Sequence, residues 1–335
     1  MKLVQAAASL LLAFMGTANA QSDADWTKVI EAGRKEGKVV WYTGQTANPS
    51  HKEFIRTFEQ KYGIRIELLD GRTTEIRERV RSEQAAGRFS GDVYHDGRTA
   101  MALMRQEGLL QPLGQLPNGE NLVPPYAIDS HSVPTHDFSY GILINRSLIK
   151  PGDEPKSWKD VLDPKWRGKI LSDDVRTLGG GATFFKVMLE TFGREYHETF
   201  SKQDVMFSRD IRNSELRVAR GEYPIFLPMA ISYYTRLKDL PVKLIVPKEG
   251  RPYGIFEIAL LKGSPRPNAA RLLINHLLEF DSQLVLANLG YGPVVKGVVE
   301  RADNSVREYL ASPALGTMDT ATVNEALDLA KQMYK

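Results

Sequence analysis

Residues 179–181 are three consecutive glycines, and their setting is the most chemically suggestive in the chain. An apolar strand, Lys169–Ser172, runs into Asp173-Asp174-Val175-Arg176-Thr177-Leu178 and then the glycines. An amphipathic helix follows directly, with Phe184, Phe185, Val187, Met188, Leu189 and Phe192 at helical spacing. Glycines at a strand-to-helix turn let backbone N–H groups face outward, and the helix N-terminus adds partial positive charge. Gly180, Gly181, Ala182 and Thr183 therefore form a candidate anion seat, with Arg176 beside it. The same glycines would equally serve a tight turn that only relieves strain.

The elements around this turn point to an α/β protein. Lys38–Thr43 reads as a buried strand and Pro49–Tyr62 as a helix ended by Gly63. Ile64–Leu69 is a second strand, Thr73–Ala86 a charged helix, Gly91–His95 a third strand and Thr99–Gln106 a further helix. This β-α-β-α-β-α order builds a parallel sheet with helices on both faces. Ligands gather at the carboxyl ends of such strands. Three loops are thereby aimed at one place: Thr43-Gly44-Gln45-Thr46, Asp70-Gly71-Arg72-Thr73 and His95-Asp96-Gly97-Arg98-Thr99. Taken singly, these are ordinary polar loop residues. A long apolar strand, Phe138–Ile149, leads into a second α/β unit containing the glycine turn, strands at Val205–Phe207, Tyr223–Leu227 and Val242–Val246, and a helix through Tyr233-Tyr234. Ile255–Lys262 is another strand, and Thr322–Met333 a closing helix.

Composition bounds the function. The 335 residues are 42% hydrophobic and 25% charged, which suits two globular lobes. A formal net charge of +3 implies no nucleic-acid partner. There is no cysteine, which removes thiol nucleophiles and thiolate metal sites. Lys2, the apolar run Leu3–Phe14 and Ala18-Asn19-Ala20 form a secretory signal pattern over residues 1–20, shorter than the roughly 20 apolar residues of a membrane span. The expectation is a periplasmic protein.

Beyond these patterns the chain resembles a known family: periplasmic solute-binding proteins of ABC importers, in the iron(III)/phosphonate-type branch of the type II periplasmic binding fold. The resemblance rests on Val40-Trp41-Tyr42-Thr43-Gly44, Gly91-Asp92-Val93, Gly141-Ile142-Leu143-Ile144-Asn145 and Val242–Gly250. Its most specific part is Pro155-Lys156-Ser157-Trp158-Lys159-Asp160-Val161-Leu162-Asp163-Pro164-Lys165-Trp166-Arg167-Gly168-Lys169-Ile170. It implies two α/β lobes joined by crossover hinge strands near Tyr140 and Phe256, with hinge closure over a solute in the cleft. Lobe 1 is then 21–139 with 255–335, and lobe 2 is 140–254. The implied partners are a small-molecule solute and the membrane permease of an ABC importer. The protein would be a monomer without a cofactor.

The resemblance also bears on the ligand. Gly180-Gly181-Ala182 fall where relatives hold a phosphate or phosphonate group, in agreement with the anion seat. Iron-holding relatives use a His on the first loop, an acidic residue after the third strand and an adjacent Tyr-Tyr pair. Here the corresponding positions read Gln45-Thr46, Gly97 and a displaced Tyr233-Tyr234. The expected solute is a small organic anion: a carboxylate, phosphonate or phosphate ester. Thr43, Gln45, Arg72, Arg98 and Thr99 would reach it from lobe 1, and Arg176, the glycine turn, Tyr233 and Tyr234 from lobe 2. Glu257 would read an amine or hydroxyl, or else be a surface carboxylate. Tyr253 and Phe256 would stack on a ligand ring, or else pack in the core. Ferric iron held by Tyr233 and Tyr234 is the alternative. A secreted hydrolase is the competing class, and the chain has no G-x-S-x-G, H-E-x-x-H or Walker pattern to support one.

Overall fold

The computed structural model describes residues 25–45, 48–318 and 320–334. The signal pattern at residues 1–20 and loop residue Thr46 lie outside these. A first helix, α1 (25–36), precedes strand β1 (Lys38–Thr43). The chain continues through α2 (Ser50–Tyr62), β2 (Arg65–Asp70), α3 (Thr73–Ala85), β3 (Val93–Gly97) and α4 (Arg98–Gln106). β1 lies between β2 and β3 and is parallel to both. Alternate residues of a strand face opposite sides, and β1 uses both. Trp41 enters a core with Phe54, Phe58 and Leu272, whereas Tyr42 enters a separate core with Tyr94, Met101 and Met104. The sheet is therefore covered on both faces, which is why its strands read as apolar runs.

After a two-residue strand β4 (Leu110–Gln111) comes β5 (Ser132–Asn145), the strand on which the architecture turns. Its first half pairs antiparallel with a later strand, β10 (Arg251–Leu261), as in Ser139 with Tyr253. Its second half pairs with β8 (Ile225–Ala230), as in Tyr140 with Ala230. With β6 (Ile170–Asp173) and β7 (Met206–Ser208) beyond β8, one strand thus belongs to both halves of a sheet whose order is β2-β1-β3-β10-β5-β8-β6-β7. β5 begins six residues before the expected Phe138. Ser132, Thr135, His136 and Asp137 are polar yet buried, so the segment lacks the apolar signature of a strand.

The second lobe contains β6 (Ile170–Asp173), α5 (Gly180–Phe192), α6 (Arg194–Phe200), β7 (Met206–Ser208), α7 (Ile211–Ala219), β8 (Ile225–Ala230), α8 (Ile231–Tyr234) and β9 (Val242–Ile245). β10 (Arg251–Leu261) returns to the first lobe, followed by α9 (Pro267–Leu277), α10 (Phe280–Asn288), β11 (Gly292–Pro293) and α11 (Asn304–Ala311). The last two elements are β12 (Ala314–Thr317) and α12 (Val323–Met333). α12 was expected in lobe 1, but Ala326, Ala330 and Tyr334 pack into the second core with Trp158, Phe184 and Phe185. The Tyr334 hydroxyl lies 2.6 Å from His197 Nδ1, which anchors this end.

The long Pro155–Ile170 motif is a framing device. Asp160 accepts the N–H groups of Lys156 and Ser157, Asp163 accepts that of Lys165, and Trp158 and Trp166 enter the core. None of its residues lines the cleft between the lobes.

Candidate ligand site

The cleft holds two contiguous cavities of about 830 and 960 Å³, which share Arg72, Phe138, Arg209, Ile211, Tyr233 and Phe256. Its floor is aromatic and comes from the crossover strands. The Phe138 ring of β5 lies 5.0 Å from Phe256 of β10 and 4.9 Å from Tyr291, and Tyr233 meets it edge-on at 6.0 Å. One wall is built from the loops after β1 and β2, which present Gln45, Arg72 and Thr73. The other comes from the junction of β7 with α7 and from α8 and the turn that follows it, which present Arg209, Arg212, Tyr233 and Arg236.

The charged side chains lining the two cavities are four arginines and two aspartates. Arg72 and Arg212 are exposed, and among the described residues neither guanidinium has a hydrogen-bond or ion-pair partner. Arg209 donates through Nε to Asp174 at 3.1 Å. Arg236 donates to Glu215 at 2.6 Å and lies 4.4 Å from the centre of the Tyr233 ring. Burial pushes the Glu215 carboxyl up to about 7, against the pull of Arg236. Asp210 is engaged as the cap of α7, accepting the Asn213 N–H at 3.0 Å. Asp173, at the end of β6, accepts the Gly181 N–H at 2.7 Å, and burial raises its carboxyl to about 6. Among the described residues no three His, Asp or Glu side chains converge as a metal site. The cleft is thus a basic-walled groove over apolar rings, suited to a small anion with an organic body.

A profile for bacterial extracellular solute-binding proteins matches residues 53–315. The chain belongs to this family. It is a solute-binding protein of the kind that serves ABC importers, and its fold is the type II periplasmic binding fold. It is 23% identical to a putative 2-aminoethylphosphonate-binding periplasmic protein of Salmonella typhi, over 90% of this chain and 88% of that one. It is 29% identical to iron uptake protein A1 of Synechocystis, over 79% and 78% of the two chains. Among solved structures, iron-bound HitA from Pseudomonas aeruginosa superposes with a TM-score of 0.72 at 21% identity, covering 88% of this chain and 99% of that one. The iron- and citrate-bound Trichodesmium protein (IdiA, FutA) gives 0.73 at 18% identity, covering 89% and 100%. At these identities the structures share the fold.

Several residues expected at the site of this solute-binding protein do line the cleft: Gln45, Arg72, Gly180 and Tyr233, together with Phe256. Others are turned away. Thr43 is wholly buried, donating to the His95 carbonyl and accepting the Gln45 N–H, so it shapes the loop from behind. Arg98 donates to Glu257 at 2.6 Å and Ser132 holds the other Glu257 oxygen; this pair sits on the side of β10 opposite Phe256. Thr99 does not line either cavity, and Tyr253 is buried. Arg176 turns back to Asp174 and the Tyr334 carbonyl and covers the Phe207 ring.

The glycine turn needs the largest correction. Gly180 and Gly181 are the first residues of α5, and Gly179, at φ 145°, takes a conformation open only to glycine. Gly181, Ala182 and Thr183 are buried beneath the surface of the cleft, and the Gly181 N–H already holds the Asp173 carboxylate. The seat is filled by the protein's own side chain. Tyr233 and Tyr234 also part company: Tyr233 faces the cleft, whereas the Tyr234 ring lies 6.0 Å from Tyr309.

Arg209, Arg212 and Arg236 were missed. Arg209-Asp210-Ile211-Arg212 resembles any solvated charged run, but it stands at the carboxyl end of β7. The strand-end rule that located the first-lobe loops would have found it there.

Proposed function

We propose that this solute-binding protein acts in the periplasm, capturing a small organic anion in the interlobe cleft and delivering it to the membrane permease of an ABC importer. The solute is a carboxylate, phosphonate or phosphate ester, bound without chemical change by a monomeric protein. The observation that carries this reading is the pair of guanidinium groups with no hydrogen-bond or ion-pair partner among the described residues, Arg72 on one wall and Arg212 on the other. A planar guanidinium matches carboxylate and phosphonate oxygens through paired N–H donors. Micromolar capture requires about 8 kcal/mol. Hydrogen bonds to charged groups contribute roughly 1.5–3 kcal/mol each, so neither wall suffices alone. Hinge closure brings both walls onto one solute and removes water from the aromatic floor. The phosphonate named for the Salmonella relative supports the same ligand class.

The test is a thermal-shift and calorimetric series with alkylphosphonates, phosphate esters, carboxylates, simple amines and Fe(III)-citrate. Stabilisation by one anion class, weakened by Arg72→Gln, is the expected result. Stabilisation by amines or Fe(III) alone would overturn the reading, and turnover of the esters would overturn the absence of catalysis.

A further inference from the structure

The two ends of the cleft differ in charge. Arg212 and Arg236 line only the cavity on the Gln45 side, Arg72 and Arg209 line both cavities, and Asp173 lines only the cavity beside the glycine turn. Asp173 is half-buried, and among the described residues no Lys, Arg or His stands within ion-pair distance of it. Its neighbours are the Gly181 N–H, Asp174, and the phenols of Tyr140 and Tyr233. A carboxylate withdrawn from water into a cleft is costly unless a cation or donors face it. One oxygen already accepts the Gly181 N–H, and among the described residues no cation pairs with the remainder. The other acidic lining residue, Asp210, is occupied at the start of α7.

We propose that the solute carries a protonated amine as well as its anionic group, and that the amine seats on Asp173. The inference rests on the anion reading above and adds a polarity to it. The positive end of the solute lies against the glycine turn, and the negative end lies between Arg72 and Arg212. This is the reverse of what a bare glycine turn at a helix N-terminus would favour. The reason is local. An anion placed at Gly180–Gly181 would meet the Asp173 carboxylate, which would stand only 3.2 Å from a Cβ at Gly180. The partial positive charge of the helix end is already offset by a full negative one.

The experiment measures affinity by calorimetry for two matched pairs, 2-aminoethylphosphonate with ethylphosphonate and 3-aminopropanoate with propanoate. Each is titrated into the wild-type protein and into Asp173→Asn, whose amide oxygen still accepts the Gly181 N–H. In the wild type the aminated member of at least one pair binds about ten- to a hundredfold more tightly, the range of one charge-assisted contact. In Asp173→Asn that preference collapses, while the amine-free member holds or gains affinity. Equal affinities within both pairs in the wild type would overturn the proposal, whatever the stability of the variant. So would a preference that survives Asp173→Asn. Should the amine-free members bind equally well and lose affinity on Arg72→Gln, the anion reading stands and the amine site falls. Should neither pair nor any other anion bind, both fall together.

Discussion

Arg72 and Arg212 offer the sharpest perturbation, because each can be removed without disturbing the fold. Both are exposed and among the described residues neither guanidinium makes a hydrogen bond or ion pair, so Arg72→Gln and Arg212→Gln should alter stability by no more than about 0.5 kcal/mol. Their effect on binding should be far larger. Loss of a hydrogen bond to a charged ligand group costs about 1.5–3 kcal/mol, which is roughly ten- to 150-fold in Kd. The residues come from opposite walls and act together only in the closed state. The double variant should therefore lose less than the sum of the two, since the first loss already weakens closure. Arg98→Gln is the control. Its guanidinium is spent on Glu257, away from the cavities, so it should lower thermal stability and leave affinity unchanged. The assay is calorimetric titration with ethylphosphonate beside a thermal melt of each variant. Undiminished affinity in Arg72→Gln, or an equal loss in Arg98→Gln, would refute the argument from exposed, unpaired arginines.

Other outcomes follow from the geometry. Gly181→Ala should destabilise the protein by about 1–3 kcal/mol, seen as a fall in Tm, because the new Cβ would stand 2.7 Å from the Asp174 carbonyl and 2.8 Å from that of Asp173. A melt unchanged from wild type would count against that packing. Glu215 sets a pH dependence: its folded pKa, about 7, lies above the ordinary carboxylate value, so between roughly pH 4.5 and 7 the folded state holds the proton more tightly than the unfolded. Its contribution is greatest at low pH and is lost as pH rises through that window, on the order of 3 kcal/mol in all. Glu215→Gln should flatten this part of the stability profile, and an identical profile in both proteins would sink the assignment. Fe(III)-citrate should produce no tyrosinate charge-transfer band, since Tyr234 packs on Tyr309 while Tyr233 faces the cleft; a coloured complex lost in Tyr233→Phe would reverse that expectation.

Much of the fold was legible because its signals are local. The alternation of Trp41 and Tyr42, the glycine after α2 and the strand-helix order of the first lobe follow from periodicity and turn chemistry. The start of β5 was not legible, because Thr135 and Asp137 are satisfied by tertiary partners and His136 stacks on Phe256, none of which a window of sequence displays. The site was half legible for a similar reason. Strand ends announced Gln45 and Arg72. Whether a polar residue at a strand end faces the groove depends on the register of its strand. β3 runs to Gly97, two residues past the expected His95, so Arg98 opens α4 and reaches Glu257. The glycine turn looked vacant because sequence lists its N–H groups without naming the acceptor they find, here a carboxylate eight residues upstream.

Phe138 and Phe256 sit on β5 and β10, the strands that run between the lobes, and they also form the aromatic floor of the cleft. Any change to either ring alters the shape of the groove and the mechanics of the pivot in one stroke. Selection for a new solute through these two positions would disturb how readily the halves swing together. Arg72 and Arg212 stand clear of the pivot, so the chemistry of the cargo can drift there without retuning the motion that the permease must recognise.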